Sequence, residues 1–516
     1  MSRTKFAICF TVGRLINRVH TTRGVSKIDG KNVVVQRFGT PRDETILRSF
    51  ERKAQQWISD QHGPKLPFSW EKDDIISDFI SSLSNSQVRV QGPELVYGSI
   101  YDQIGYDSIE DPMFRHLVVC RMFSPGSKLK TKDYLQRYLH VSVTKYNIYN
   151  LIDRLSPAEG CGIKYQVEQI SYAQTQKVLK SKVGIVFYDM TTLYFEASDE
   201  DDLRICGFSK EGCHRNPQIF LGLLVAVGGN PIGYEIFEGN IHESKTLIPM
   251  VESLAARFGF DHPVVIADAG LLSKNNIDAL DQAGYQYILG ARPKNDSAEV
   301  KEKILSMRLR DGQVRSFICK DKRRIVVSMS DARARNDAKN RRDGLRRLEK
   351  KLGAGRLTKN NINNRGYNKY LRMEGNVRIS IDYERFEYDA AWDGIKAYVT
   401  NSKLSPKKIV ANYHNLWFIE RAFRMNKTDL RIRPIYHRLR NRIEGHICIC
   451  FTAYTIMLEL ERRLKASNSP LSLNEARELT KNIYSITYTL TETKEERTTL
   501  LQMTDEQRLL VNIAQN

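Results

Sequence analysis

The chain has 516 residues, 41% hydrophobic and 27% charged, the balance of a folded globular protein large enough for more than one domain rather than a disordered or collagen-like chain. Lys and Arg total 80 against 60 Asp and Glu, a formal charge of +20, which favours a polyanionic partner, nucleic acid first, over a merely basic soluble protein. Eight cysteines are too sparse for a disulfide framework and point to a reducing cytoplasm.

The apolar run from Phe6 to Val12 is too short for a signal peptide, and no 18-residue apolar stretch is read from the sequence, so neither export nor a membrane span is expected. Lys31 to Arg37 reads as a strand and Arg42 to Asp60 as a helix, followed by a polar, Ser-rich stretch ending near Ser86. From about Gly92 to Lys180 the pattern is helical, with breaks at Ser124-Pro125-Gly126 and Ser156-Pro157. Within it, Lys130 to Leu139, the link HVSV, and Thr144 to Leu155 have the spacing of a helix-turn-helix. Its second helix exposes Lys145, Tyr146, Asn150 and Arg154, types that touch phosphates and base edges; a plain helical bundle fits equally well.

Strands and helices then alternate. Lys182 to Met190 is an apolar strand carrying Asp189 at its end, and IFLGLLVAVG with PIGYEIFEG forms a hairpin about Gly228-Gly229-Asn230-Pro231. A helix spans Thr246 to Phe258. A buried strand of parallel type, HPVVIADAG, delivers Asp268. A helix from Asn275 to Ala283 and the strand YQYILGA complete an α/β unit. Cys206, Cys213 and His214 lack a second ligand pair at zinc-site spacing. From about Pro293 to Asn401 the alternation is interrupted by a block reading as an insertion: RRIVVSMS as β, Asp331 to Leu352 as a charged helix, and VRISIDYERFEYD as alternating β. The basic run Arg333 to Lys351 is a solvated helix face or a DNA-backbone contact.

Ser405 to Leu430 reads as one helix with Pro406 in its first turn. Tyr413 lies seven residues before Glu420 (420 − 413) and Lys427 seven after (427 − 420), about two turns each way, so Tyr413, Trp417, Glu420, Arg424 and Lys427 are expected to share a face roughly 21 Å long. Leu416, Ile419 and Phe423 form the apolar face. Alone, this is an amphipathic helix whose Glu420 pairs with Arg424. Asp189 and Asp268, each at the polar end of an apolar strand, are positions from which side chains enter a ligand crevice, or cap the following turn. From Ile443 to Leu464 a long apolar-faced helix should pack on the sheet, and the last fifty residues or so look helical with a β piece at Tyr484 to Leu490.

The segments YDMTTLYFE, GFSKEGCHRNPQIFLGLLVAVGGNPIGYEIFEGN, VVIADAGLLSKNNIDAL and YHNLWFIERAFRMNKTDLRIRPIYH resemble, in order and spacing, the DDE transposases of bacterial insertion sequences. More narrowly, they resemble the insertion-sequence-four superfamily in the branch with a long insertion before the glutamate. The resemblance is good from about Lys182 to Lys465. It implies an α/β fold with a ribonuclease-H-like catalytic core, interrupted by a mostly β insertion domain and preceded by an N-terminal helical DNA-binding region. The expected division is 1–90, mixed; 91–180, helical and DNA-binding; 181–295, first part of the core; 296–400, insertion; 401–466, second part of the core; and 467–516, C-terminal tail. The acidic triad falls on Asp189, Asp268 and Glu420. Of the family's Tyr, Arg, Glu, Lys signature, Tyr413, Glu420 and Lys427 are present, but the arginine position is Leu416, for which Arg424 or Arg421 is a candidate substitute. Ser209, Lys210 and Arg215 are further DNA-contact candidates by resemblance, against a plain charged turn.

The chemistry implied is phosphodiester hydrolysis and transesterification by two Mg²⁺ ions, or Mn²⁺ in their place, with Asp189 bridging both, Asp268 holding one and Glu420 the other. Tyr413 and Lys427 are expected to grip flanking phosphates. The implied partners are double-stranded DNA, as terminal inverted repeats and target, and a second copy of the chain in a synaptic homodimer; the implied location is the bacterial cytoplasm, at the nucleoid. A structure-selective nuclease on the same core and a domesticated DNA-binding protein with a vestigial triad are the competing readings.

Overall fold

The computed structural model describes residues 6–12, 20–28, 31–39, 44–61, 69–155, 162–207, 216–259, 262–320, 323–358, 361–363, 366–374, 378–490 and 493–516. Two compact units divide at the Gln87–Val88 bond. The first holds an antiparallel meander of β1 (Phe6–Val12), β2 (His20–Ile28) and β3 (Lys31–Gly39), followed by α1 (Glu44–Gln61) and α2 (Ser69–Ser82). Phe38 of β3 meets Trp57 of α1 edge-on at 6.2 Å. The sequence reading has β3 and α1 but lacks β1, β2 and α2.

The second unit opens with β4 (Val88–Val90), α3 (Ser99–Ile104), α4 (Pro112–Phe123), α5 (Lys128–Tyr138), α6 (Lys145–Leu155) and α7 (Ile163–Leu179). Asp111 caps α4 by accepting from the Met113 and Phe114 N–H groups at 3.0 and 3.3 Å, and Ser127 caps α5. α6 buries Ile148, Leu151, Ile152 and Leu155, an i, i+3, i+4, i+7 stripe. Lys145, Tyr146, Asn150 and Arg154 stay exposed, as expected.

The centre of this unit is an eight-stranded mixed sheet. Its first five strands are β5 (Ile185–Tyr194), β6 (Gln218–Ala226), β7 (Pro231–Glu238), β8 (Val264–Ala267) and β9 (Tyr287–Gly290), with α8 (Leu247–Phe258) and α9 (Lys274–Gln282) between the later ones. β6 is antiparallel to β5 and β7, while β5, β8 and β9 run parallel. Numbered in chain order, these strands lie 3-2-1-4-5 across the sheet. The hairpin between β6 and β7 needs Gly228 and Gly229, whose φ values of 81° and 83° lie in the region where a Cβ is strained.

The interrupting block contains α10 (Ala298–Ser306), β10 (Val314–Ile318), β11 (Arg324–Met329), α11 (Asp331–Gly353), β12 (Leu371–Glu374), β13 (Arg378–Ile381), α12 (Tyr383–Ala390) and β14 (Ile395–Thr400). It is not mostly β. β14 pairs antiparallel with β9, and β11 and β10 follow, so these three strands extend the central sheet. α11, α12 and the β12–β13 hairpin enclose a small core of Leu348, Tyr370, Leu371, Ile381 and Phe386. The second half of VRISIDYERFEYD is helical because Asp382 accepts from the Arg385 N–H at 2.9 Å and starts α12.

The chain then forms α13 (Pro406–His414), α14 (Trp417–Arg424) and α15 (Arg440–Ala466). Strand alternation divides the sheet's side chains between two cores. Phe187, Ile266, Ile288 and Tyr398 face α13, α14 and α15; Tyr188, Ala267, Leu289 and Val399 face α8, α9 and α10. Contrary to the expectation of no membrane-length apolar run, α15 is long and apolar enough to cross a bilayer; 94% of that window is buried inside the protein, which makes it a core helix. The last residues, α16 (Leu473–Thr480), β15 (Tyr484–Thr489), β16 (Glu496–Leu500) and α17 (Asp505–Gln515), return to the helical region, where β15 pairs with β4.

Candidate active site

β5 and β8 are parallel with Tyr188 opposite Ala267, so the next residue on each, Asp189 and Asp268, takes matching positions on strands about 4.8 Å apart. Both side chains project from the face of Phe187 and Ile266, the one covered by α13 and α14. Asp189 is not at a strand end, since β5 continues to Tyr194. β8, however, stops at Ala267, so Asp189 stands where its parallel neighbour ends, the kind of crevice in which α/β sheets bind ligands. Its Oδ1 accepts from the Met190 N–H at 2.8 Å. Asp268 is exposed, one residue beyond β8.

Glu420 reaches this face from α14, which packs on β5 and β6; Phe418 meets Phe187 edge-on at 5.9 Å. The expected single helix is broken. At Asn415 and Leu416 the backbone tightens into i to i+3 hydrogen bonds, Asn415 N–H to Asn412 O at 3.1 Å and Leu416 N–H to Tyr413 O at 3.0 Å. After Arg424 it widens into a π-helical turn, Met425–Asp429. Each change of pitch rotates the side chains that follow. Trp417, Glu420 and Arg424 do share an exposed face, but Tyr413 is only 3% exposed and does not join it. Lys427 is half-buried in the π turn.

Tyr413 is therefore not an open phosphate contact. Its hydroxyl donates to Asp268 Oδ1 at 3.0 Å, and its ring lies 4.7 Å from that of Tyr398. Burial, reinforced by Asp268 and then Asp189, holds its phenol well above the usual tyrosine range. Leu416 is buried and makes no polar contact in place of the signature arginine. Arg421 forms an ion pair with Glu461, whereas Arg424 is exposed on the Glu420 face.

Two cations that the sequence reading did not single out as site residues also belong here. Lys396 of β14 puts its ammonium 4.4 Å from the Tyr413 ring centroid. Burial and then Arg333 draw that ammonium below the usual lysine range, while Asp268 and Glu420 pull the other way. Arg333, in the first turn of α11, and Lys396 also lower His414, after burial. All three carboxylates thus act on one Tyr413–Lys396 pair. The alternation Lys396, Tyr398, Thr400 along β14 was the available signal; a strand beginning just after an interrupting block gives no sign from sequence that it borders the catalytic strands.

Ser209, Lys210 and Arg215, with Cys213 and His214, lie outside the described residues. Among the described residues no three His, Cys, Asp or Glu side chains are close enough to hold one ion together. The donor set is carboxylates, exposed at Asp268 and Glu420 and half-buried at Asp189, hard oxygen ligands that suit a small divalent ion which keeps several waters and needs only one or two protein ligands. The paired Asp189 and Asp268 fit that demand.

Residues 187–456 match the family model described as the transposase DDE domain, a span that contains Asp189, Asp268 and Glu420. No curated protein matches the chain. Among solved structures, a piggyBac transposase synaptic complex with hairpin DNA is 10% identical, with a TM-score of 0.38 over 75% of this chain and 76% of that one. A Mos1 transposase paired-end complex with the left transposon end is 10% identical, with a TM-score of 0.16 over 47% and 75%.

Proposed function

The chain belongs to the transposases that carry a DDE domain, and from that premise we propose that it cleaves DNA at the ends of its own insertion sequence and joins the freed 3′ ends to target DNA, with Asp189, Asp268 and Glu420 as the catalytic carboxylates. The observation that carries this is the in-register pairing of β5 with β8, which brings two of the acids to one crevice beneath the helix bearing the third. When bound, Mg²⁺, or Mn²⁺ in its place, makes the attacking oxygen more acidic and stabilises the leaving 3′ oxygen; Asp189 would share both ions, with Asp268 completing one site and Glu420 the other.

The remaining residues orient the carboxylates and the DNA. The Tyr413 hydroxyl fixes the rotamer of Asp268, and the cations Lys396 and Arg333 sit where a phosphodiester's charge must be met. Arg424 and Lys427 meet phosphates on either side of the scissile one, joined by Ser209, Lys210 and Arg215, while α5 and α6 bind the terminal repeat. The interrupting block before Glu420 supports membership of the long-insertion branch of the insertion-sequence-four superfamily, hence a bacterial, nucleoid-associated protein acting as a homodimer that pairs two ends.

A labelled duplex carrying one terminal repeat, incubated with Mg²⁺ and an unlabelled target, tests the reading. Transposition predicts labelled strands joined to target; cleaved but never joined strands would reassign the chain to a structure-selective nuclease, and bound but uncut DNA to a domesticated DNA-binding protein.

A further inference from the structure

A pocket of about 580 Å³ opens between the end of α4, the start of α5 and the segment leading into α15. Among the described residues lining it are Arg121, Lys128, Lys130, Arg431 and Arg433, and no carboxylate. Lys128 is 7% exposed and Arg121 5%. Among the described residues the Lys128 ammonium has no hydrogen-bond or ion-pair partner, although it borders the cavity. Among the described residues Arg121 donates only to neutral acceptors: Leu430 O at 3.4 Å, Arg431 O at 3.5 Å and His446 Nδ1 at 3.3 Å. His446 donates in turn from Nε2 to Ile432 O at 2.8 Å; burial holds it well below the usual histidine range, so it orients Arg121 without adding charge. Nearby, Asp153 is engaged by Arg442 at 2.8 and 2.9 Å.

Burying an ammonium beside a guanidinium with no counter-charge is costly unless something supplies the missing anion. The same cavity receives the first turn of α5. Among the described residues Ser127 Oγ accepts only from the Lys130 N–H, at 3.3 Å, which leaves the earlier N–H groups of that turn without an intrahelical acceptor. Free N–H groups at a helix start, a lysine and a fixed guanidinium together match a multiply charged oxyanion better than they match a single carboxylate.

We propose that this pocket is a binding site for a phosphate group, gripped by Lys128 and the first-turn N–H groups of α5, with Arg121 behind them and Arg431 at the mouth. Two sources carry that group. One is the DNA backbone, which the exposed Lys145, Tyr146 and Asn150 of the adjoining α6 would also meet; the other is free phosphate or a nucleotide. The site stands whether or not the carboxylates cut DNA.

Thermal melts of the full chain in millimolar inorganic phosphate, against chloride at matched ionic strength, test the proposal. Phosphate should raise the melting temperature of the wild type, and Lys128→Met should lose most of that rise. An equal rise in both proteins would be a general salt effect and would overturn the site. If Lys128→Met does not fold, acylation of lysines in the wild type, read by peptide mass spectrometry, decides. Phosphate should slow modification of Lys128 roughly tenfold by occupying the site while the exposed Lys350 is unaffected; no protection of Lys128 by either phosphate or a short duplex refutes it. Protection by both assigns the site to the DNA backbone, and protection by phosphate alone assigns it to a free anion.

Discussion

Tyr413 shows how a side chain can carry a family signature and do a different job from the one its spacing suggests. Buried at 3% exposure, it has its hydroxyl on Asp268, so in the proposed reaction it would act through that carboxylate. Tyr413→Phe deletes only that hydrogen bond, so it should cost about 1 kcal/mol of stability or less; cleavage should slow while duplex affinity, measured by filter binding, stays unchanged. A loss of affinity equal to the loss of rate would restore the phosphate contact. Lys128 provides a second test, of charge burial. Burial and Arg121 hold its pKa at about 7 against an ordinary 10.5. Between those values the unfolded chain keeps the proton and the folded one does not, so folding gains stability as pH rises through that window and lacks that gain below it. The groups that act on Lys128 are Arg121, Cys120 and Cys450. Lys128→Met should therefore melt above the wild type in chloride near pH 7, and the gap should narrow toward pH 10. Asp189 and Asp268 are legible as acids closing apolar strands and Glu420 through the family resemblance; Arg333 is legible only as the start of a basic run and Lys396 only through strand alternation, because their place beside the acids depends on strands paired across an interruption.

The elements divide into those set by local pattern and those set by their neighbours. The hairpin of β6 and β7, the helices α8 and α9, and the two successive helices α5 and α6 are all legible from periodicity and turn residues within a few positions of their observed ends. The helix over 405–430 was not, because a continuous 3.6-residue pattern conceals the tightening at Asn415–Leu416 and the π turn at Met425–Asp429; both depend on how the segment packs across the sheet. The segment VRISIDYERFEYD reads as one strand because its first half alternates, whereas the cap at Asp382 starts a helix in its second half. Close approach of elements at the site is a further constraint. Gly290 of β9 lies under Tyr413, and a Cβ there would come within 2.8 Å of the Ala269 backbone nitrogen, with the Tyr413 hydroxyl closer still. Gly290→Ala should displace the Tyr413–Asp268 pair and reduce cleavage by at least an order of magnitude, as roughly 1 Å misplacements do; unchanged turnover with a normal melting temperature would contradict this packing.

At the scale of the molecule, a sheet of order 3-2-1-4-5 is lengthened by three antiparallel strands from the block that separates Asp268 from Glu420. That arrangement gives the interruption a physical role. Instead of hanging from the core, it carries Lys396 on β14 and Arg333 on α11 to the same crevice as the acids. The excess of positive charge is visible in composition and in the run Arg333–Lys351, but the cations beside the carboxylates and those in the pocket at α5 are not, because each group gathers residues from distant segments. The claim on which the account depends is that Asp189, Asp268 and Glu420 work as one metal-dependent unit. The direct measurement is Mg²⁺-dependent nicking of a labelled terminal-repeat duplex by the wild type, Asp189→Asn, Asp268→Asn and Glu420→Gln, with duplex binding followed in parallel. Each variant should bind the duplex but lose nicking in both Mg²⁺ and Mn²⁺; nicking that persists in any one of them would contradict a single metal-dependent unit.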